Sequence, residues 1–313
     1  MADPIRLAMT TAAETYERVR EPFSDRGIAV DHVQPTQRSL RVADGDPGDA
    51  SADDALGDAS ADDAPGSIDA AFDVGFVYPS RLMEGAVVDQ RLSVPWVNGR
   101  DAVVTSRNKA GVLAALEDAG LPVPRTTQVS NPAAESTVVD AVAGFSFPVV
   151  IKPNSATRGV GVAKAADLDS LLGIVDYLDL VHDYRATGDK SYLIQEFLPD
   201  ARDYRVMVVD GAYAGAVRRA LPADALDAGR WKHNVHRGAD ARGVTLDAEG
   251  RDLAERAAAA LGIDYLGVDL LETDDRLVVT ETNARPTIDA ETKYEPGFYD
   301  RLAALVERVA ADG

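Results

Sequence analysis

Glu281 and Asn283 stand two apart in the run VTETN, so on a strand both side chains leave one face, and Asp269 lies in the apolar run GVDLL just before. Three oxygen ligands on adjacent strands suit magnesium, or manganese in its place, because such a cation keeps several waters and shares phosphate oxygens with its substrate. Acidic and amide side chains here alternate with Thr280, Thr282 and Ala284 after an apolar LVV, polar where packing alone has no use for polarity. Register sets a condition on this reading. A tight turn on Asp274 and Asp275 pairs Asp269 with Thr280 and leaves it on the face opposite Glu281 and Asn283, so metal ligation demands a bulge or an odd-length loop. Without one, the three are ordinary solvent-facing hairpin residues.

A second constellation suits nucleotide phosphates. In PVVIKPNSATRGVGV (148–162) an apolar strand ends in Lys152 and is followed by a small-residue loop carrying Gly159 and Gly161. Glycines let backbone N–H groups approach phosphate oxygens, and the lysine supplies a point charge. No Gly-Lys-Ser/Thr occurs, and Lys164 occupies the last position of a would-be GxGxxG, so neither common phosphate-loop motif is present. Alone, the segment also reads as a plain hairpin turn. In YLIQEFLPDARDYRVMVVDG (192–211) a buried strand leads to Glu196 and Phe197, then to Asp203 and Arg205. Apolar walls suit an adenine and a carboxylate suits ribose hydroxyls, while the plainer use of Arg205 is an ion pair with Asp203. Residues 218–241 gather Arg219, Lys232, Asn234 and Arg237 in a loop-like stretch of an otherwise acidic chain, which points to an anion such as a transferring phosphoryl group. The plainer reading is surface arginines with a satisfied His233 or His236. Neither of these two histidines is assigned a catalytic role, and His32 and His182 are likewise uninformative.

These residues need elements to position them. IRLAM, a helical pattern over 12–20, IAVDHV and DVGFVY read as strand, helix, strand, strand, and PWVN adds another strand. A helix follows over 108–119. Strands recur at TTQV, PVVIK, GVAKA, YLIQEF, YRVMVV and AYAGAV, with helices over 168–177 and 247–261, strands over 266–272 and 277–283 flanking TDDR, and an amphipathic helix over 298–311. The fold class is therefore α/β in the N-terminal lobe and α+β beyond it, divided as 1–100, 101–190 and 191–313. Residues 44–67 are nearly all Asp, Ala, Ser, Gly and Pro, and hold the duplication DASADDALG/DASADDAPG; they read as a disordered surface insertion rather than a solenoid.

Composition excludes several function classes. The 313 residues include no cysteine, which removes disulfides, thiolate metal sites and cysteine nucleophiles. A net charge of −20 opposes a nucleic-acid partner and, with few lysines, resembles proteins of salt-adapted cytoplasms. No apolar run reaches the length of a membrane span and the N-terminus lacks a signal-peptide pattern, so a cytoplasmic setting is expected.

Taken in order, TSRNKAGVLAALEDAGLPVPRTT, PVVIKPNSATRGVGV, YLIQEFLPDARDYRVMVV, WKHNVHRGADA and GVDLL with VTETN resemble the ATP-grasp superfamily, closest to the RimK-like ATP-dependent carboxylate–amine ligases that attach glutamate. The resemblance covers about residues 98–311 and implies an N-terminal α/β lobe followed by two lobes that clamp ATP. It implies Lys109 and Lys152 on ATP phosphates under a flap with Thr157, Gly159 and Gly161, and Glu196 and Phe197 at adenine. It implies Asp203 at ribose, and Lys232, His233 and Asn234 against the nucleotide. Arg205 and Arg219 become reaction-centre arginines, and Asp269, Glu281 and Asn283 magnesium ligands. The implied partners are ATP, an amino-acid amine donor and a carboxylate acceptor, with a homo-oligomer left open. A kinase of the same superfamily and a non-catalytic ATP-binding module are the other readings. Two departures stand out. Ala156 replaces the first flap glycine, and NARPTIDAET replaces the usual Asn-small-small-Pro-Gly ending and brings Arg285 and Thr287 toward the expected site; Arg237 of the basic segment is a further substrate candidate. Arg285 then either clamps a substrate carboxylate or pairs with Glu291.

Overall fold

Short apolar runs separated by polar turns fold into three sheets, seen here in a computed structural model that describes residues 3–34, 36, 71–156, 159–181, 189–233, 235 and 238–313. The acidic repeat, Thr157, His182, Asn234, His236 and Arg237 lie outside the described residues. The chain divides into two units, one of Met1–Arg100 with Ala303–Gly313, the other of Asp101–Leu302.

In the first unit β1 (Ile5–Met9), β2 (Ile28–His32), β3 (Val74–Phe76) and β4 (Trp96–Val97) make a parallel sheet in the order β2-β1-β3-β4. Helices α1 (Ala13–Ser24) and α2 (Leu82–Leu92) supply the crossovers that parallel pairing requires. Leu7, Met9, Val19, Phe23, Phe76 and Val88 are fully buried. Periodicity does not announce α2, because one of its three inward positions is Gly85.

The second unit opens with α3 (Arg100–Arg107) and α4 (Lys109–Asp118) and holds two antiparallel sheets. One, in the order β5-β8-β6-β7, is built from β5 (Thr126–Ser130), β6 (Val149–Pro153), β7 (Ala163–Ala165) and β8 (Ser191–Glu196). Helices α5 (Glu135–Val142) and α6 (Leu168–Val181) share a core with Val149, Ile151, Tyr192 and Ile194. Strand alternation then sends Lys152 and Gln195 out of the other face. The five-stranded sheet, in the order β11-β10-β9-β12-β13, comprises β9 (Arg202–Val209), β10 (Ala212–Ala220), β11 (Asp240–Val244), β12 (Tyr265–Glu272) and β13 (Leu277–Asn283). Between β10 and β11 lies the short α7 (Ala223–Asp227), and α8 (Ala248–Leu261) packs on β9, β10, β12 and β13. Val206, Val208, Leu266, Val268 and Leu270 share one face of this sheet and are all buried, which fixes the alternate residues on the other face. The amphipathic α9 (Phe298–Ala311) follows. Among the described residues no helix is long and apolar enough to cross a membrane.

Candidate functional site

The hairpin β12–β13 meets the register condition set by its sequence. Near the turn Glu272 pairs with Leu277, Leu271 with Val278 and Leu270 with Val279; then the ladder slips, and Asp269 faces Glu281 while Gly267 faces Asn283. Thr280 is the extra residue of this bulge. Its hydroxyl donates to the Asp269 carbonyl at 3.2 Å, and its own carbonyl accepts from Lys152 Nζ at 3.4 Å. The bulge moves Glu281 and Asn283 onto the face of Asp269.

Pairing with neighbouring strands extends that face. Asp269 lies opposite Arg205 on β9, and Asp203 lies opposite Arg219 on β10, so four charged side chains join the two from β13. Arg219 is on a strand, not in the loop-like stretch expected from sequence: β10 runs on to Ala220 because β9 and β11 pair with it on both sides. Arg205 donates to both carboxylate oxygens of Asp269 at 2.7 Å. Arg219 donates to Asp203 Oδ1 from Nε at 2.8 Å and from Nη2 at 2.5 Å, and reaches Asp269 Oδ2 at 3.1 Å. The anticipated ion pair of Arg205 with Asp203 is thus replaced by cross-strand pairs. Burial raises the Asp269 carboxyl, but the two guanidiniums outweigh it and hold it at about 2. Asp203, with a single close guanidinium, is pushed up by burial to about 6. Burial, then the charges of Arg219 and Arg218, hold His233 below the usual imidazole value, and its Nδ1 lies 3.7 Å from Asp203.

Two buried lysines face this cluster. Lys109 opens α4, whose first turn is capped by Asn108 and tied to Asn154, which accepts the Ala110 N–H at 2.8 Å and donates to Asn108 at 3.0 Å. Its ammonium donates to the Ala156 carbonyl and stands 3.2 Å from Glu281. Lys152 donates to Gln195 Oε1 at 3.0 Å. Burial pulls its ammonium down to about 8, with Lys109 adding to the effect and Glu281 opposing it. The flap glycines Gly159 and Gly161 both have positive φ, 66° and 74°. At Gly161 a Cβ would stand 2.7 Å from Pro153 Cγ, so a side chain there meets strain and contact together.

Glu196 accepts the Arg125 N–H at 2.7 Å and pairs with Arg276 at the same distance. Phe197 meets the edge of Trp231 with ring centroids 5.8 Å apart, and Lys164 lies 4.7 Å over Phe197 and 5.5 Å over Trp231. Lys232 donates to the Val162 carbonyl, joining the segment before β11 to that before β7. A cavity of about 490 Å³ is lined by Gly229, Arg230, Trp231 and Lys232. Asp203 stands inside the ion cluster. Arg285 donates its N–H to Asn283 Oδ1 at 2.9 Å, and burial followed by the Arg107 charge lowers its guanidinium to about 10. Thr287 is exposed, and the side chain of Glu291, the other partner considered for Arg285, lies outside the described residues.

Sequence reasoning missed Gln195, Asn154, Trp231, Lys164 and Arg107. Gln195 had a signal, a polar residue inside the apolar strand YLIQEF. The others gather only through non-local packing.

Among the described residues no three His, Asp or Glu side chains group to hold a metal. Asp269, Glu281 and Asn283 offer two carboxylates and an amide on one face, which fits a cation that completes its shell from water and phosphate.

A profile of the RimK-like ATP-grasp domain matches residues 106–296. A probable alpha-L-glutamate ligase of Sodalis glossinidius (strain morsitans) is 31% identical over 220 residues, 69% of each chain. The alpha-aminoadipate–LysW ligase LysX of Sulfurisphaera tokodaii is 30% identical over 212 residues, 66% of this chain and 69% of that one. A crystal structure of a RimK domain ATP-grasp protein from Sphaerobacter thermophilus matches with a TM-score of 0.64 at 22% identity, over 96% of this chain and 99% of that one. The mixed architecture expected from sequence is the architecture of that structure.

Proposed function

The chain belongs to the RimK-like ATP-grasp family, and we propose that it is an ATP-dependent carboxylate–amine ligase whose amine comes from L-glutamate or another amino acid. The observation that carries this reading is the shared face of Asp203, Arg205, Arg219, Asp269, Glu281 and Asn283, assembled by the Thr280 bulge beside Lys109 and Lys152. In this reading a substrate carboxylate oxygen attacks the γ-phosphorus of ATP, the bond to ADP breaks, and an acylphosphate forms. The amine then attacks the acyl carbon, the amide forms, and phosphate leaves with the C–O electrons while the amine loses a proton.

Lys109 and Lys152 supply positive charge for the phosphates, and Arg205 and Arg219 neutralise charge where the phosphoryl group moves. Their geometry is set beforehand by the cross-strand carboxylates, so little reorganisation accompanies the reaction. Asp269, Glu281 and Asn283 would hold magnesium, or manganese, which when bound neutralises the ATP phosphate charge. Phe197 and Trp231 give the base an apolar wall beside the cavity at 229–232. A salt-rich cytoplasm is the setting that the acidic composition favours.

The test measures ADP and phosphate release at high salt with Mg-ATP, across a panel of amino acids and carboxylates, with mass spectrometry of products. Amino-acid-dependent release of both, in step with a product heavier by the amino acid less water, is expected. Phosphorylated product without phosphate release would replace the ligase by a kinase, and no turnover with any amino acid would overturn the ligase reading.

A further inference from the structure

A buried ammonium has three N–H bonds to place, and Lys152, only 6% exposed, places two of them on neutral oxygens. One goes to Gln195 Oε1 at 3.0 Å, the other to the Thr280 carbonyl at 3.4 Å. Among the described residues no carboxylate forms an ion pair with it, whereas Lys109 pairs with Glu281, and Arg205 and Arg219 hold Asp269 and Asp203. Gln195 is as buried as the lysine and lies opposite Thr126 on β5 and Val150 on β6. Its Nε2 donates to Thr126 Oγ1 at 2.8 Å, and that hydroxyl donates to the Pro124 carbonyl at 2.8 Å. A carbonyl can only accept, so Pro124 fixes the hydroxyl proton. The hydroxyl lone pairs are then left for the amide nitrogen, and the amide oxygen is turned to Lys152. The same segment also reaches the last hairpin, where the Pro122 carbonyl accepts the N–H of Val279, next to Thr280, at 2.9 Å. The four-stranded sheet is thereby tied to the five-stranded one around a single ammonium.

A lysine side chain that is free in solvent loses much rotamer freedom when it meets a phosphate. Here that freedom is already lost on folding, and two fixed acceptors set the direction of the third N–H. A carboxylate at position 195 would hold the lysine as firmly but would offset its charge. The neutral amide orients the charge and leaves it available to an anion. We infer that Gln195, itself oriented by Thr126, is a positioning residue that aims the Lys152 ammonium at a nucleotide phosphate without cancelling its charge. This deepens the ligase reading and rests on its assignment of Lys152 to a phosphate.

The test is isothermal titration of the full chain by the non-hydrolysable analogue AMP-PNP, at high salt with magnesium, with circular dichroism to confirm folding. Q195M should weaken binding about tenfold and T126V about threefold, while T126S, which keeps the hydroxyl, stays within about twofold of the unaltered chain. K152M should weaken it about tenfold or more, and adding Q195M to K152M should change affinity by less than about twofold, because Gln195 acts through the lysine. A merely structural glutamine would give its full loss in either background. Should Q195M not fold, the contrast of T126V with T126S and the K152M/T126V pair decide. Unchanged affinity in Q195M and T126V, equal losses in T126V and T126S, or a full second loss on the K152M background overturns the relay and leaves the nucleotide reading standing. Unchanged affinity in K152M removes the lysine from the phosphates and the relay with it. Failure of the unaltered chain to bind AMP-PNP overturns the ligase reading itself.

Discussion

Replacing Arg219 by methionine should destabilise the protein far more than replacing its partner Asp203 by asparagine. Both side chains are nearly buried, 10% and 13% exposed, and Arg219 is the one guanidinium bonded to Asp203 among the described residues. The Asp203 carboxyl already sits at about 6. At about 1.4 kcal/mol for each tenfold change in proton affinity, keeping it ionised near pH 7 costs the folded state about 3 kcal/mol. R219M removes its compensating charge, and stripping one member from a buried pair costs about 3 to 5 kcal/mol. D203N instead relieves the ionisation cost, keeps an acceptor for Arg219 and leaves that cation beside Asp269, so the net change should stay within about 1.5 kcal/mol.

The pH dependence has a definite sign. Because the folded value exceeds the ordinary 3.8, the native state binds more protons between pH 3.8 and about 6, and the contribution of Asp203 falls as pH rises through that window. Without Arg219 the carboxyl titrates higher still, so the R219M deficit should be smaller at pH 5 than at pH 8. Urea unfolding with EDTA and no nucleotide, followed at both pH values, measures all of this. A loss below about 1 kcal/mol in R219M, or equal losses in the two variants, would refute the reasoning that Asp203 is held ionised against its burial.

Glu281→Gln should lower magnesium-dependent turnover about a hundredfold or more while shifting unfolding free energy by less than about 1 kcal/mol, since Glu281 is itself 35% exposed, glutamine keeps an acceptor for Lys109 and Lys109 retains the Ala156 carbonyl; unchanged turnover would remove Glu281 from the metal set. Lys152, held at about 8, should regain its proton when phosphates bind, so calorimetry in buffers of different ionisation enthalpy should show proton uptake with AMP-PNP near pH 8.5, little at pH 6.5 and none in K152M. In Trp96→Phe the remaining tryptophan, Trp231, should change its emission on nucleotide addition; a flat titration under saturating AMP-PNP would place the base elsewhere. Gly161→Val should weaken nucleotide binding, by at least about tenfold, through its positive φ and the contact with Pro153, and wild-type affinity would show that the flap tolerates a side chain there.

Local patterns reached every strand but β11 and the longer helices α1, α4, α6, α8 and α9, because alternation and 3.6-residue spacing are written within a dozen residues. They missed α2, α3, α5 and α7: α2 has a glycine among its inward positions, α3 carries only two buried positions, α5 is rich in β-branched residues and α7 is only five residues long. They also left Arg219 in a loop, since the end of β10 is polar and becomes strand only between β9 and β11.

The sequence by itself determined the family and, for any reading that puts Asp269, Glu281 and Asn283 on one face, the need for a parity change between Asp269 and Glu281, since side-chain alternation is a property of any strand. Only the tertiary structure decided that Thr280 supplies that change, that Asp269 answers to Arg205 and Asp203 to Arg219, and that Ser106 ties the end of α3 to the exit of β13. Those pairings join residues 16 to 178 positions apart. Each carries its energy only once burial has removed water from the charges, and burial is settled by the packed whole.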